Sequence, residues 1–91
     1  MDKMDIESLR SQIDLLDDKI KDLLIKRLSL CDEIGKIKKE LDLNILSTGR
    51  EEDILNRLTN GLSDLDKESV KLIYEQIFKV SKCRQENIKN G

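Results

Sequence analysis

The residues of this 91-residue chain that could do chemistry are polar groups standing where apolar ones are due. Arg27 interrupts an otherwise apolar heptad seam at a position that a Leu or Ile would fill. Lys38 follows about three turns later, within about 20° of the same azimuth and some 16 Å further along a helix. Towards the C-terminus, Ser81 and Gln85 continue the stripe Val70, Tyr74, Ile77 (or Phe78) before Ile88 resumes it. A hydroxyl and an amide thus share one helix face, one turn apart. Burying such groups is unfavourable unless something pairs with them. With Glu51 they describe a helical cavity offering two cations, a carboxylate and two neutral hydrogen-bonding groups, and no nucleophile. That set suits a small dianionic ligand. Plainer roles compete for each residue. A single buried Arg can fix coiled-coil register, Lys38 sits in the run Lys36, Lys38, Lys39 that could be a solvated face, and Glu51 could be a capping acid.

Composition narrows the chemistry further. The chain has no histidine, the commonest general base and metal ligand, so a reaction needing no proton shuttle is expected. Cys31 and Cys83 lack metal spacing and read as reduced residues facing packing, with no metal site expected. Charged residues make up 40% of the chain but nearly cancel, to a net −2, which argues against a nucleic-acid partner. Met1-Asp2-Lys3-Met4-Asp5 carries no apolar signal core and no 18-residue apolar run occurs, so no membrane role and a cytoplasmic location are expected.

The elements that must position these residues are helical. Proline is absent, strand formers are sparse, and the length allows one domain over 1–91, giving an all-α fold. Ile6, Leu9, Ile13, Leu16, Ile20 and Leu23 step by threes and fours, and the rhythm resumes at Leu30, Ile34, Ile37 and Leu41. Asp5 or Asp2 can cap this helix, and Asp42-Leu43-Asn44 can stop it. Gly35 falls inside it and marks a close helix contact. Such a helix is about 53 Å long at ~1.5 Å per residue, against a diameter of roughly 30 Å for a compact chain of this size. Its apolar stripe therefore needs another chain, later helices, or both. A second helix begins at the capping-box pattern Thr48-Gly49-Arg50-Glu51, buries Ile54, Leu55, Leu58 and Leu62, and ends at Asn60-Gly61. A third follows Ser63-Asp64, buries Val70, Ile73, Tyr74, Ile77 and Phe78, and runs to about Ile88. Loops fall at roughly 42–47 and 60–64.

With these elements in place, the sequence resembles the all-helical (type II) class of chorismate mutase over nearly its whole length. The resemblance is carried by Leu9-Arg10-x-x-Ile13-Asp14-x-x-Asp17, Leu23-Leu24-x-x-Arg27, Ile34-Gly35-x-x-Lys38, Arg50-Glu51 and Ser81-x-x-x-Gln85. It implies three helices (long, short, long) in an intertwined homodimer with two active sites. It further implies conversion of chorismate to prephenate, in phenylalanine and tyrosine biosynthesis, with no cofactor or metal. Carried over by residue, Arg27 and the partner chain's Arg10 would hold substrate carboxylates, assisted by Arg50 and Ser81. Lys38 and Gln85 would donate to the ether oxygen, and Glu51 would accept from the ring hydroxyl. Ser47 stands where the family often has aspartate, and its contact would rest partly on backbone.

Supply of Arg10 from the partner fits the spacing. Along a straight helix Arg10 lies about 25 Å from Arg27, out of reach of the Arg27–Lys38 groove in its own chain. In an antiparallel pair with its two-fold axis near residue 20, Arg10 of one chain comes beside residue ~30 of the other. Two alternatives share the scaffold: a pyruvate-lyase acting on isochorismate, and a non-catalytic helical dimerisation or regulatory module. Glu51, suited to chorismate's ring hydroxyl, favours the mutase over the lyase.

Overall fold

Asp5 opens the first helix: its Oδ1 accepts from the backbone N–H of Ser8 at 2.8 Å, occupying one of the donors a helix start leaves unpaired. A computed structural model describes residues 5–45 and 48–91, the side chain of Thr48 excepted. Three helices run in order, α1 (Ile6–Leu41), α2 (Thr48–Thr59) and α3 (Asp64–Asn90), with no strand among the described residues. None of these helices is long and apolar enough to cross a membrane.

The helix ends follow from local chemistry. Past Leu41, Asp42 takes a positive φ of 54°, a conformation that Asp tolerates better than most residues. This lets the Leu43 N–H reach back to the Lys38 carbonyl at 2.8 Å and the Asp42 N–H to that of Lys39 at 3.3 Å. The pair of bonds forms a Schellman-type stop that satisfies two otherwise orphaned carbonyls. Gly61, at φ 82°, turns the chain after α2. Ser63 then caps α3, its Oγ accepting from the Asp66 N–H at 3.2 Å. Boundaries expected at Asp42, Asn60-Gly61 and Ser63-Asp64 thus fall where the turn chemistry places them. Asp2, Leu46 and Ser47 lie outside the described residues, as does the Thr48 side chain of the expected capping box.

The chain divides into two units, Met1–Leu30 and Cys31–Gly91. In the first, the heptad seam faces solvent: exposure runs from 43% at Leu9 to 67% at Leu30. The second has its own small core, in which Cys31, Ile45, Ile54 and Phe78 are buried. Leu55, Leu58, Leu62, Val70, Tyr74 and Ile77 are half-buried around it. Tyr74 meets Phe78 edge to face at 5.6 Å, one helical turn apart.

Two expectations about packing are corrected. Ile73, expected inside, is 60% exposed, because the stripe of α3 follows Val70, Tyr74, Ile77 and Phe78 and leaves Ile73 at its margin. Cys83, expected to pack like Cys31, is exposed. It lies between the buried pair Ser81 and Gln85, and a residue two places from each points well away from their shared face.

Candidate functional site

Gly35 sets the approach of α1 to α3. A Cβ built there would stand 3.2 Å from the Gln85 Cα and 3.3 Å from its Cγ, so any side chain would press on Gln85's own backbone. The close contact expected at Gly35 is therefore real, and what it receives is Gln85. One turn before it, Asp32 accepts two hydrogen bonds from Arg84, one from Nε at 3.0 Å and a second from the guanidinium's terminal nitrogen. The bidentate fork ties the same two helices beside the same contact. Arg84's hydrogen bond holds the Asp32 carboxyl below the ordinary carboxylate range, and Asp32 in turn raises the already high value of Arg84.

Gln85 is buried, and its Oε1 has no hydrogen-bond partner in the structure. An orphaned buried amide oxygen is unfavourable by ~1–3 kcal/mol, so sites that keep one usually have a use for the group. One turn earlier, Ser81 is also buried, its hydroxyl donating to the Ile77 carbonyl at 2.8 Å. The hydroxyl and amide expected side by side on α3 are both inside.

Lys38 lies on the same face of α1 as Gly35, three residues on. It is half-buried, and its Nζ donates to the Ile45 carbonyl at 3.0 Å. An ammonium has three donors, so this bond anchors the stem of the charge and leaves further N–H groups to aim. The C-terminal stop of α1, which uses Lys38's own carbonyl, holds the same segment in place. Lys89 adds a bond to the Leu43 carbonyl at 2.6 Å, and Lys39 one to the Gly91 carbonyl at 3.2 Å.

Glu51 enters from the first turn of α2. Its Oε2 pairs with Lys82 of α3 at 3.1 Å, the two side chains being 24% and 33% exposed. Arg50, its neighbour, is exposed. Within the 31–91 unit, then, Gly35 of α1 and Glu51 of α2 meet one stretch of α3, at Gln85 and Lys82, beside the buried Ser81, and Lys38 stands three residues beyond Gly35 on α1. Arg10 and Arg27 belong to the other unit. Arg10 is exposed and pairs with Glu7 at 3.2 Å, and Arg27 is half-buried. Ser47 lies outside the described residues.

Lys82 and the Asp32–Arg84 fork had no counterpart in the sequence reading. Their one signal is a charge next to an inward polar residue: Lys82 follows Ser81 and Arg84 precedes Gln85. In a chain that is 40% charged, this signal is lost among solvated neighbours.

Three helices thus carry an ammonium, an amide, a hydroxyl and a carboxylate that are each at least half-buried in the 31–91 unit. The chain belongs to the type II chorismate mutase family, whose profile matches residues 9–86. Comparison with curated proteins gave no match, and comparison with solved structures gave none.

Proposed function

We propose that this protein converts chorismate to prephenate in a homodimer whose two active sites each draw residues from both chains. The observation that carries this reading is the seating of buried Gln85 of α3 against Gly35, with half-buried Lys38 three residues beyond Gly35 on the same face of α1. In the reaction an ether C–O bond breaks while a new C–C bond forms within one molecule, so no acid, base or nucleophile is needed. The enzyme gains rate by holding the flexible substrate in its compact reactive shape. It gains more by aiming donors at the ether oxygen, where negative charge grows as the bond breaks. Lys38 and Gln85 supply those donors. Glu51 accepts from the ring hydroxyl, Arg27 and the partner's Arg10 bind the two carboxylates, and Arg50, Ser81 and Ser47 complete the contacts.

The dimer is supported by what a single chain leaves uncovered. Seam residues Leu9, Ile13, Leu16, Ile20, Leu23 and Leu30 are all exposed, and the 31–91 unit buries only four apolar residues below a tenth exposure among the described ones. Burying one Leu or Ile fully is worth about 1.5–3 kcal/mol. A second copy laid antiparallel along the seam would cover it and bring Arg10 to the other chain's Arg27. The product supplies phenylalanine and tyrosine synthesis, in the cytoplasm, and no cofactor takes part.

Incubating the purified protein separately with chorismate and isochorismate, and identifying the products, tests the activity. Prephenate from chorismate is expected. Pyruvate from isochorismate as the main product would replace the mutase by the lyase, and no product from either would make the chain a non-catalytic module.

A further inference from the structure

We propose that Lys82 is a positioning residue for substrate recognition, its ammonium fixing the Glu51 carboxylate so that Glu51 receives the substrate's ring hydroxyl in a single orientation. The inference rests on the mutase reading above and assigns a residue which that reading leaves idle.

The Lys82–Glu51 pair, like the Asp32–Arg84 fork, joins two helices and differs from the local ion pairs along single helices. Arg10–Glu7, Lys36–Glu33 and Lys21–Asp22 each join near neighbours on one helix, with every side chain at least 60% exposed. Screened pairs of that sort contribute little. Lys82 and Glu51 come from different helices, meet at 3.1 Å, and are both mostly covered. The pair also sits at the site itself, since Lys82 follows the buried Ser81 and Glu51 is the acid of the α2 entrance.

Glu has three side-chain torsions, and a free carboxylate on such a stem must lose rotamer freedom when it binds anything. A cation held against Oε2 removes that freedom beforehand. Oε1 of the same carboxylate is then presented as the acceptor for an incoming hydroxyl, in keeping with the two-oxygen capacity of the group. The α2–α3 packing around buried Ile54 and Phe78 fixes where both stems begin.

The test compares wild type, Lys82→Met, Lys82→Arg and Glu51→Gln on chorismate and on an analogue lacking the ring hydroxyl. Lys82→Met should lower kcat/KM for chorismate about five- to tenfold, the scale of one weakened charged hydrogen bond. It should leave turnover of the analogue within about twofold, because nothing is there for Glu51 to accept. Glu51→Gln should show the same selectivity for the hydroxyl-bearing substrate, and Lys82→Arg should restore most of the loss. Equal losses on both substrates would make Lys82 a brace between α2 and α3 and overturn the proposal. An unchanged rate on chorismate would overturn it too. If Lys82→Met does not fold, Lys82→Gln carries the same comparison. A wild type that makes no prephenate overturns the mutase reading itself, whereas an active wild type matched by Lys82→Met overturns only the assignment of Lys82.

Discussion

Residues 6–30 and residues 31–91 of this chain use the same helical vocabulary to opposite ends. The C-terminal unit closes a small interior: Phe78, Ile54, Ser81 and Gln85 are inside, its helices are pinned by Asp32–Arg84, Glu51–Lys82 and the Lys89 bond to Leu43, and Ile34, Ile37 and Leu41 at its end of the seam stay exposed. The N-terminal stretch of α1 displays its apolar seam to solvent, with Ile13, Leu16, Ile20 and Leu23 each more than half exposed. Buried polar residues occur in the C-terminal unit, whereas no described residue of the 6–30 stretch is buried. On the function proposed above, the 31–91 unit would hold the ligand and the 6–30 stretch would hold another copy of the chain. An amphipathic pattern specifies that a face will be covered; only placement shows whether the cover comes from the same chain.

The hardest way to break this contrast is to put charge on the seam. The double variant Leu16→Glu, Ile20→Glu places like charges where two copies would meet, near the expected two-fold axis. It should run as a monomer in sedimentation equilibrium and lose prephenate formation altogether, because no site then receives Arg10. A monomeric variant with full activity would show that the C-terminal unit works alone.

A variant within the site should separate chemistry from assembly. Lys38→Ala should lower kcat about 10²–10³-fold, the range for removing one donor aimed at developing charge, while sedimentation still reports a dimer. Mixing it with Arg10→Ala sharpens the point. If Arg10 acts across the interface, half of the sites in each mixed dimer carry no substitution. Random exchange of the two inactive variants should therefore recover about a quarter of wild-type activity. Recovery of nothing would return Arg10 to its own chain.

How much of this could be read beforehand depended on whether a residue's signal is local. The stop at Asp42, the turn at Gly61 and the cap at Ser63 were legible because each is decided by the conformational preferences of one or two residues. Gln85 and Ser81 were legible because a polar residue on an apolar stripe is conspicuous. Gly35 announced a close contact, but nothing in its neighbourhood of sequence named Gln85 as the other side. Lys82 and Arg84 were invisible for the complementary reason: charges next to inward residues look like any solvated helix face until α1 and α2 bring Asp32 and Glu51 to them. Ile73 misled because a stripe drifts around a helix, and a residue at its edge follows the pattern without being covered.

The smallest expected effect comes from the Asp32–Arg84 fork, and it is a pH effect with a definite sign. Arg84's hydrogen bond lowers the Asp32 pKa on folding. A carboxylate whose folded value lies below its unfolded value contributes stability that is complete above the ordinary carboxylate value of about 3.9 and is lost as the pH falls through the depressed folded value. Asp32→Asn removes this contribution at every pH. Thermal melts should therefore place the variant slightly below wild type from neutrality down to about pH 4, with the two curves converging in more acidic solution as wild-type Asp32 protonates. The remaining carboxylates are common to both proteins and cancel in the difference. A gap that stays constant into strong acid would mean that Asp32 contributes by shape and not by charge. The fork beside Gly35 and Gln85 would then be a packing feature, and the contrast between the two units would rest on burial alone.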